Sequence, residues 1–173
     1  MHVKTALALA RRMQGAGFRE AAMVVGDVCS RNVVIVFRND TVADACRLMR
    51  ERHVGSVVVV DGDGGKAPVG MLTDRDVAVA VVAPGLDPET TLVAAVMRPG
   101  TVAVPETRGI GDAIALMRDQ GVRRLPVVDQ AGRLVGLLAA DDLLDLLAGE
   151  ISDLAVMVSR GVTREQIERA PIV

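Results

Sequence analysis

Apolar residues fall along the chain in two similar sets. Val33–Val36 is a short apolar run and predicts a strand. From Thr41 to Arg52 the apolar positions Val42, Ala45, Leu48 and Met49 recur at helical spacing, with Thr41 at the cap. Val57–Val60 is a continuous β-branched run, the pattern of a strand buried on both faces. Asp61-Gly-Asp-Gly-Gly predicts a turn, Val69–Thr73 another strand and Asp74–Val82 another helix. The order β-α-β-β-α then recurs. Its second copy uses Val102–Val104, Ile110–Gln120, Leu125–Val128, Leu134–Ala139 and a longer helix from Asp141 to about Ser159.

Shifting the chain by 68 positions brings the copies into register. Val34 meets Val102, Asp44-Ala45 meets Asp112-Ala113, and Leu48-Met49-Arg50 meets Leu116-Met117-Arg118. Val59-Val60-Asp61 meets Val127-Val128-Asp129. After a two-residue length difference, Gly70 meets Gly136 and Asp76 meets Asp142. A repeat of this length is a supersecondary unit, and two such units usually share a core. Pro84, Gly85 and Pro88 close the first copy, and Leu92–Met97 leads into the second. The expected organisation is an N-terminal extension over 1–24, read as helical, repeats over 25–88 and 92–150, and a helical tail over 151–173. Gly161 is expected to break that tail, which reads either as packing on its own domain or as a dimer or partner contact.

Composition narrows the function. The chain has 173 residues, half of them hydrophobic, and Phe18 and Phe37 are its only aromatics. A ligand base must therefore lie between aliphatic side chains, and the stacking platforms of single-strand nucleic-acid binders are missing. Net charge is −2 with both signs interspersed, so no nucleic-acid partner is expected. Cys29 and Cys46 fit neither a zinc nor a redox spacing and read as reduced core residues of a cytoplasmic protein. The uncharged stretch between Asp76 and Asp87 contains Pro84 and is shorter than the roughly 20 residues of a span, so no membrane partner is expected. Of the two histidines, His53 follows a helix where the other repeat has Gly121, and reads as a helix terminator. No metal, Walker or dinucleotide motif occurs, and neither histidine has a catalytic partner at motif spacing, so no catalytic residue and no metal site are expected.

Gly70-Met-Leu-Thr-Asp-Arg-Asp-Val77 resembles the third strand and helix start of a CBS domain, named after cystathionine β-synthase. Gly121-Val-Arg-Arg-Leu-Pro-Val-Val-Asp129 resembles that family's second-strand motif. The resemblance covers about Val25 to Leu147. It implies an α/β fold of tandem β-α-β-β-α CBS repeats, packed as one globule with pseudo-twofold symmetry and two clefts. It also implies a stand-alone regulatory module that binds AMP, ADP or ATP, or S-adenosylmethionine, with no obligatory cofactor. The expected partners are a second copy, through helices of both repeats, and an effector protein.

In one cleft Thr73 ends a strand and Asp76 lies one turn into the following helix, where free N–H groups and the helix dipole favour phosphate. The Thr73 hydroxyl can donate to that phosphate, Arg75 adds charge, and the Asp76 carboxylate can accept from both ribose hydroxyls. The same Thr-x-x-Asp spacing is close to a capping box, and the two roles are compatible. The family's geometry brings Met71 and these residues to the other repeat. There Arg123 and Arg124 approach the phosphate, with Arg124 favoured as its clamp, and Gly100 and Val102 flank the base; a solvated strand edge is the bland alternative for the two arginines.

The second cleft, with Val33, Gly55, Ser56, Ala139 and Asp142, departs from this pattern. Its Ala139-Ala-Asp-Asp142 lacks the hydroxyl and puts Asp141 where Arg75 stands, and Gly55-Ser56 replaces the arginine pair. A phosphate there would meet a carboxylate, at a cost of about 4 kcal/mol at intermediate dielectric. One working nucleotide site is therefore expected. The alternative is a dimerising scaffold that needs no ligand.

Overall fold

A computed structural model describes residues 23–61 and 67–168. The expected turn at Asp61 and the expected N-terminal helix fall wholly or largely outside the described residues. The described residues divide into two units, one ending at Ala139 and the other beginning at Ala140.

In the first unit, β1 (Ile35–Phe37) leads to α2 (Val42–Arg52), β2 (Ser56–Val60), β3 (Pro68–Thr73) and a helix whose first turn, α3, is Asp74–Val77. A short helix α1 (Val25–Val28) precedes this set. After it come α4 (Val93–Val96), β4 (Arg98–Pro99), β5 (Val104–Pro105), α5 (Ile110–Gln120), β6 (Arg124–Val128) and β7 (Leu134–Ala139). The strands form two sheets, ordered β1-β2-β3-β4 and β5-β6-β7. β2 is central in the first, parallel to β1 and antiparallel to β3, and all five of its residues are buried, as the unbroken valine run predicts. β6 repeats this arrangement between β5 and β7.

Thr41 caps α2 through its hydroxyl, which accepts from the Asp44 N–H at 3.1 Å. α2 ends at His53, at φ 53°, and α5 at Gly121, at φ 63°. The two terminators share one left-handed conformation, which a glycine adopts without strain and a histidine does not. Cys29 is buried as expected, whereas Cys46 is half-buried, and burial pushes its thiol pKa up.

Each repeat completes the other. The Val25 N–H donates to the Arg108 carbonyl at 2.8 Å and Gly26 to Glu106 at 2.8 Å. In the counterpart, Val93 donates to Asp40 at 2.9 Å and Ala94 to Arg38 at 3.0 Å. Ser30 bridges to Leu137 of β7, while β4 pairs with Gly70 and Met71 of β3. The segment that precedes each repeat is thus exchanged onto the opposite sheet. Val93 and Met97 accordingly lie in one buried cluster with Val36, Ala45, Met49, Val57, Val59 and Leu72. The close approach requires glycine on the receiving strand. A Cβ at Gly70 would sit 2.8 Å from the Arg98 carbonyl and from Met97 Sδ, and one at Gly136 would sit 2.6 Å from Cys29 Sγ.

Four expectations are corrected. The strand expected at Val33–Val36 is Ile35–Phe37, and that at Val102–Val104 is Val104–Pro105, because pairing begins only where a partner strand is in reach. The helix expected over Asp74–Val82 is α-helical only to Val77. It continues as a π turn over Ala78–Val82, closed by the Ala83 N–H on the Ala78 carbonyl at 3.0 Å, which leaves Val79 and Val82 exposed. Gly161 does not break the tail. In the second unit one helix, α6, runs unbroken over Ala140–Glu168; a glycine inside a helix costs only about 1 kcal/mol relative to alanine.

Candidate functional site

The end of β3 builds the candidate site. Thr73 leaves the strand in extended conformation, at φ −115° and ψ 160°, and caps α3. Its hydroxyl accepts from the Asp76 N–H at 3.1 Å. Asp76 Oδ2 accepts in return from the Thr73 N–H at 3.0 Å and from the Thr73 hydroxyl at 2.6 Å. The capping-box reading of Thr-x-x-Asp is therefore realised. The other oxygen, Oδ1, accepts from Arg98 Nε at 3.1 Å.

Asp76 is well covered, with a side chain 12% exposed, while that of Arg98 is 67% exposed. Burial alone would raise the Asp76 pKa, but the hydrogen bonds from Thr73 and the charge of Arg98 outweigh it and lower it below the usual carboxylate value. The group is an anion at neutral pH, ready to accept from neutral donors.

Thr73 and Asp76 are bonded directly to each other, while Met71 within β3 and Gly100 beside it lie further along the strand. Met71 is buried and lies opposite Arg98 in the β3–β4 ladder. Gly100 follows β4 at φ 69°, its N–H donating to the Val69 carbonyl at 3.3 Å. Val102, partly exposed, follows two residues later. Arg75 is exposed, with its backbone N–H on Asp74 Oδ1 at 2.7 Å.

Backbone register groups the remaining residues within each repeat. Ser56 is opposite Thr73, and the Gly55 carbonyl accepts from the Asp74 N–H at 3.1 Å. Arg124 is opposite Ala139, with Arg123 exposed beside it. Among the described residues, no hydrogen bond or ion pair joins Arg123 or Arg124 to Thr73 or Asp76. Val33 is half-buried just before β1. Asp142 is the third residue of α6, in the second unit.

Arg98 is the residue the sequence reading missed. Its counterpart in the repeat is Ser30, so the substitution of a cation at this one place was visible. What was not visible was that the linker carrying it pairs with β3 rather than with its own repeat.

The CBS domain family matches this chain twice, at residues 25–83 and 93–149. The chain belongs to the CBS domain family. It is 40% identical over 119 residues to the CBS domain-containing protein YhcV of Bacillus subtilis, covering 69% of this chain and 81% of YhcV. It is 34% identical over 122 residues to the uncharacterized protein MK0525 of Methanopyrus kandleri, covering 70% of this chain and 61% of that longer protein. Among solved structures, the cytosolic domain of the Mg2+ channel MgtE in complex with ATP superposes with a TM-score of 0.62 at 32% identity. That match covers 81% of this chain and 52% of the MgtE chain. The fold is that of a CBS domain pair. Among the described residues there is no group of three or more His, Cys, Asp or Glu able to hold a metal ion, and no helix long and apolar enough to cross a membrane.

Proposed function

We propose that this CBS pair is a regulatory module that binds one adenosine nucleotide of the AMP, ADP or ATP type, rather than an enzyme. The observation that carries the reading is the carboxylate of Asp76. It is ionised, held by Thr73 at a helix start, and bordered by the exposed cations Arg75 and Arg98. A ribose diol would donate to Asp76 and the phosphate would lie toward the helix N-terminus. Arg124 of the other repeat would clamp that phosphate, with Arg123 adding charge, and Met71, Gly100 and Val102 would line the base. The MgtE domain is a CBS relative solved with ATP, which supports the ligand class. The second cleft would be degenerate, because Ala139 stands where the first has Thr73 and Gly55-Ser56 stands where the first has the arginine pair. The output would pass through a homodimer, for which the exposed Val79 and Val82 offer apolar area, and on to an effector protein in the cytoplasm.

A ligand-free scaffold is the second reading. It is favoured by the engagement of Thr73 and of Asp76 Oδ2 in the capping box, which gives both residues a role in folding alone. Calorimetry and thermal shift with AMP, ADP, ATP and S-adenosylmethionine separate the two. One bound nucleotide per chain, adding about 2.7 kcal/mol of stability at 100 times its Kd, is the expected result. Two equivalent sites would refute the asymmetry, and no response to any of the four would leave the scaffold.

A further inference from the structure

We infer that Arg98 decides whether this site prefers a phosphorylated ligand, by exchanging its bond to Asp76 for the ligand's phosphate; this rests on the nucleotide reading above. A carboxylate oxygen has two lone pairs. Oδ2 of Asp76 already accepts from both the N–H and the hydroxyl of Thr73, at 3.0 and 2.6 Å. Oδ1 accepts only from Arg98 Nε, at 3.1 Å. One ribose hydroxyl can use the open lone pair of Oδ1, but the second must displace Arg98. The guanidinium is committed by Nε alone, and its two terminal nitrogens hold no partner among the described residues.

An arginine displaced from Asp76 needs another anion. Arg98 is 67% exposed and holds Asp76 through Nε alone, so water can take over its side of the bond during exchange, and a guanidinium forks readily onto phosphate. β4 is anchored to β3 through Gly70 and Met71, so the displaced side chain stays beside the site. Adenosine would break the Arg98–Asp76 pair and offer nothing in return. AMP would break it and supply the phosphate. The equivalent position in the other half of the fold is Ser30, which has no charge to exchange.

The consequence is a crossing of affinities that a purely structural role cannot produce. In Arg98→Ala, AMP should bind about tenfold or more weakly, the loss of a charge-assisted hydrogen bond. Adenosine should bind about two- to fivefold more tightly, because its competitor for Asp76 is gone. Arg98→Lys keeps the charge without the fork and should recover part of the AMP affinity. Isothermal titration of adenosine and AMP against the full chain and both variants, each checked for folding by circular dichroism, reads this directly. Equal weakening of both ligands, or unchanged AMP affinity in Arg98→Ala, would overturn the role of Arg98 while leaving the nucleotide reading intact. A wild-type chain that binds neither AMP nor adenosine would overturn both.

Discussion

Val25 and Val93 hold the same position in opposite halves of the fold. Each opens a four-residue helix, each is fully buried, and each donates its N–H to a carbonyl of the other repeat, Arg108 for Val25 and Asp40 for Val93. The two repeats are joined by exchange, so the stability of each depends on residues that sequence order assigns to the other.

Val93→Ala tests this. The residue lies in the repeat-two sequence yet packs with Val57, Val59 and Leu72 of the first sheet. Removing its two methyl groups should destabilise the protein by about 2–3 kcal/mol. Leu92→Ala, next to it and 44% exposed, should change stability by less than about 1 kcal/mol. Chemical denaturation of both variants gives the comparison. Hydrogen exchange should show the loss in β2 amides of the first repeat, and protection lost only near residue 93 would argue against the exchange.

Gly70→Ala and Gly136→Ala probe the same junctions from the receiving side. At Gly70 the new methyl meets the Arg98 carbonyl, which is backbone and cannot swing away. At Gly136 the nearest atom is the side-chain Sγ of Cys29. Both should cost about 1–3 kcal/mol, as overpacking does. Gly136→Ala should be rescued in part by Cys29→Ala, whereas no side-chain truncation should rescue Gly70→Ala as fully. Urea midpoints of the single and double variants decide it, and an equal rescue at both sites would contradict the geometry.

The parts legible in the sequence are those set by local pattern. The valine run at 57–60 gives a buried central strand, the spacing of Val42, Ala45 and Met49 gives α2, and Thr41 and Thr73 give the caps. What escaped depends on distant partners. β4 and the short helices at Val25 and Val93 are too brief to leave a period, and their hydrogen-bond partners lie in the opposite repeat. The π turn hides in Ala78-Val-Ala-Val-Val82, whose residues suit an α-helix equally well. At the site, Thr73 and Asp76 were legible from their motif, but Arg98 reaches Asp76 only through the pairing of β4 with β3.

His53 offers a stabilising change. It is the only described non-glycine residue at positive φ, and its counterpart is Gly121. His53→Gly should relieve the left-handed strain and raise stability by about 0.5–1 kcal/mol. Gly121→His should lower it by a similar amount. Thermal melts of the two variants measure both signs, and a destabilised His53→Gly would mean that the imidazole makes contacts worth more than the strain.

Asp76 should also leave a pH signature. Its folded pKa lies below the unfolded value of about 3.9, because the Thr73 and Arg98 bonds outweigh burial. A carboxylate with a depressed pKa contributes stability that is fully present above the unfolded pKa and fades as pH falls through the folded one. Asp76→Asn keeps the shape and removes the charge, so the variant should be less stable than wild type by about 1–2 kcal/mol at neutral pH. That gap should hold from pH 7 down to about 5 and narrow steadily below about pH 4 as Asp76 itself becomes neutral. Denaturation midpoints of both proteins across this range, without nucleotide, test the claim. A gap that stays constant to pH 2 would mean that the ionised carboxylate does not hold Thr73 and Arg98 together, and that the turn is fixed by packing instead.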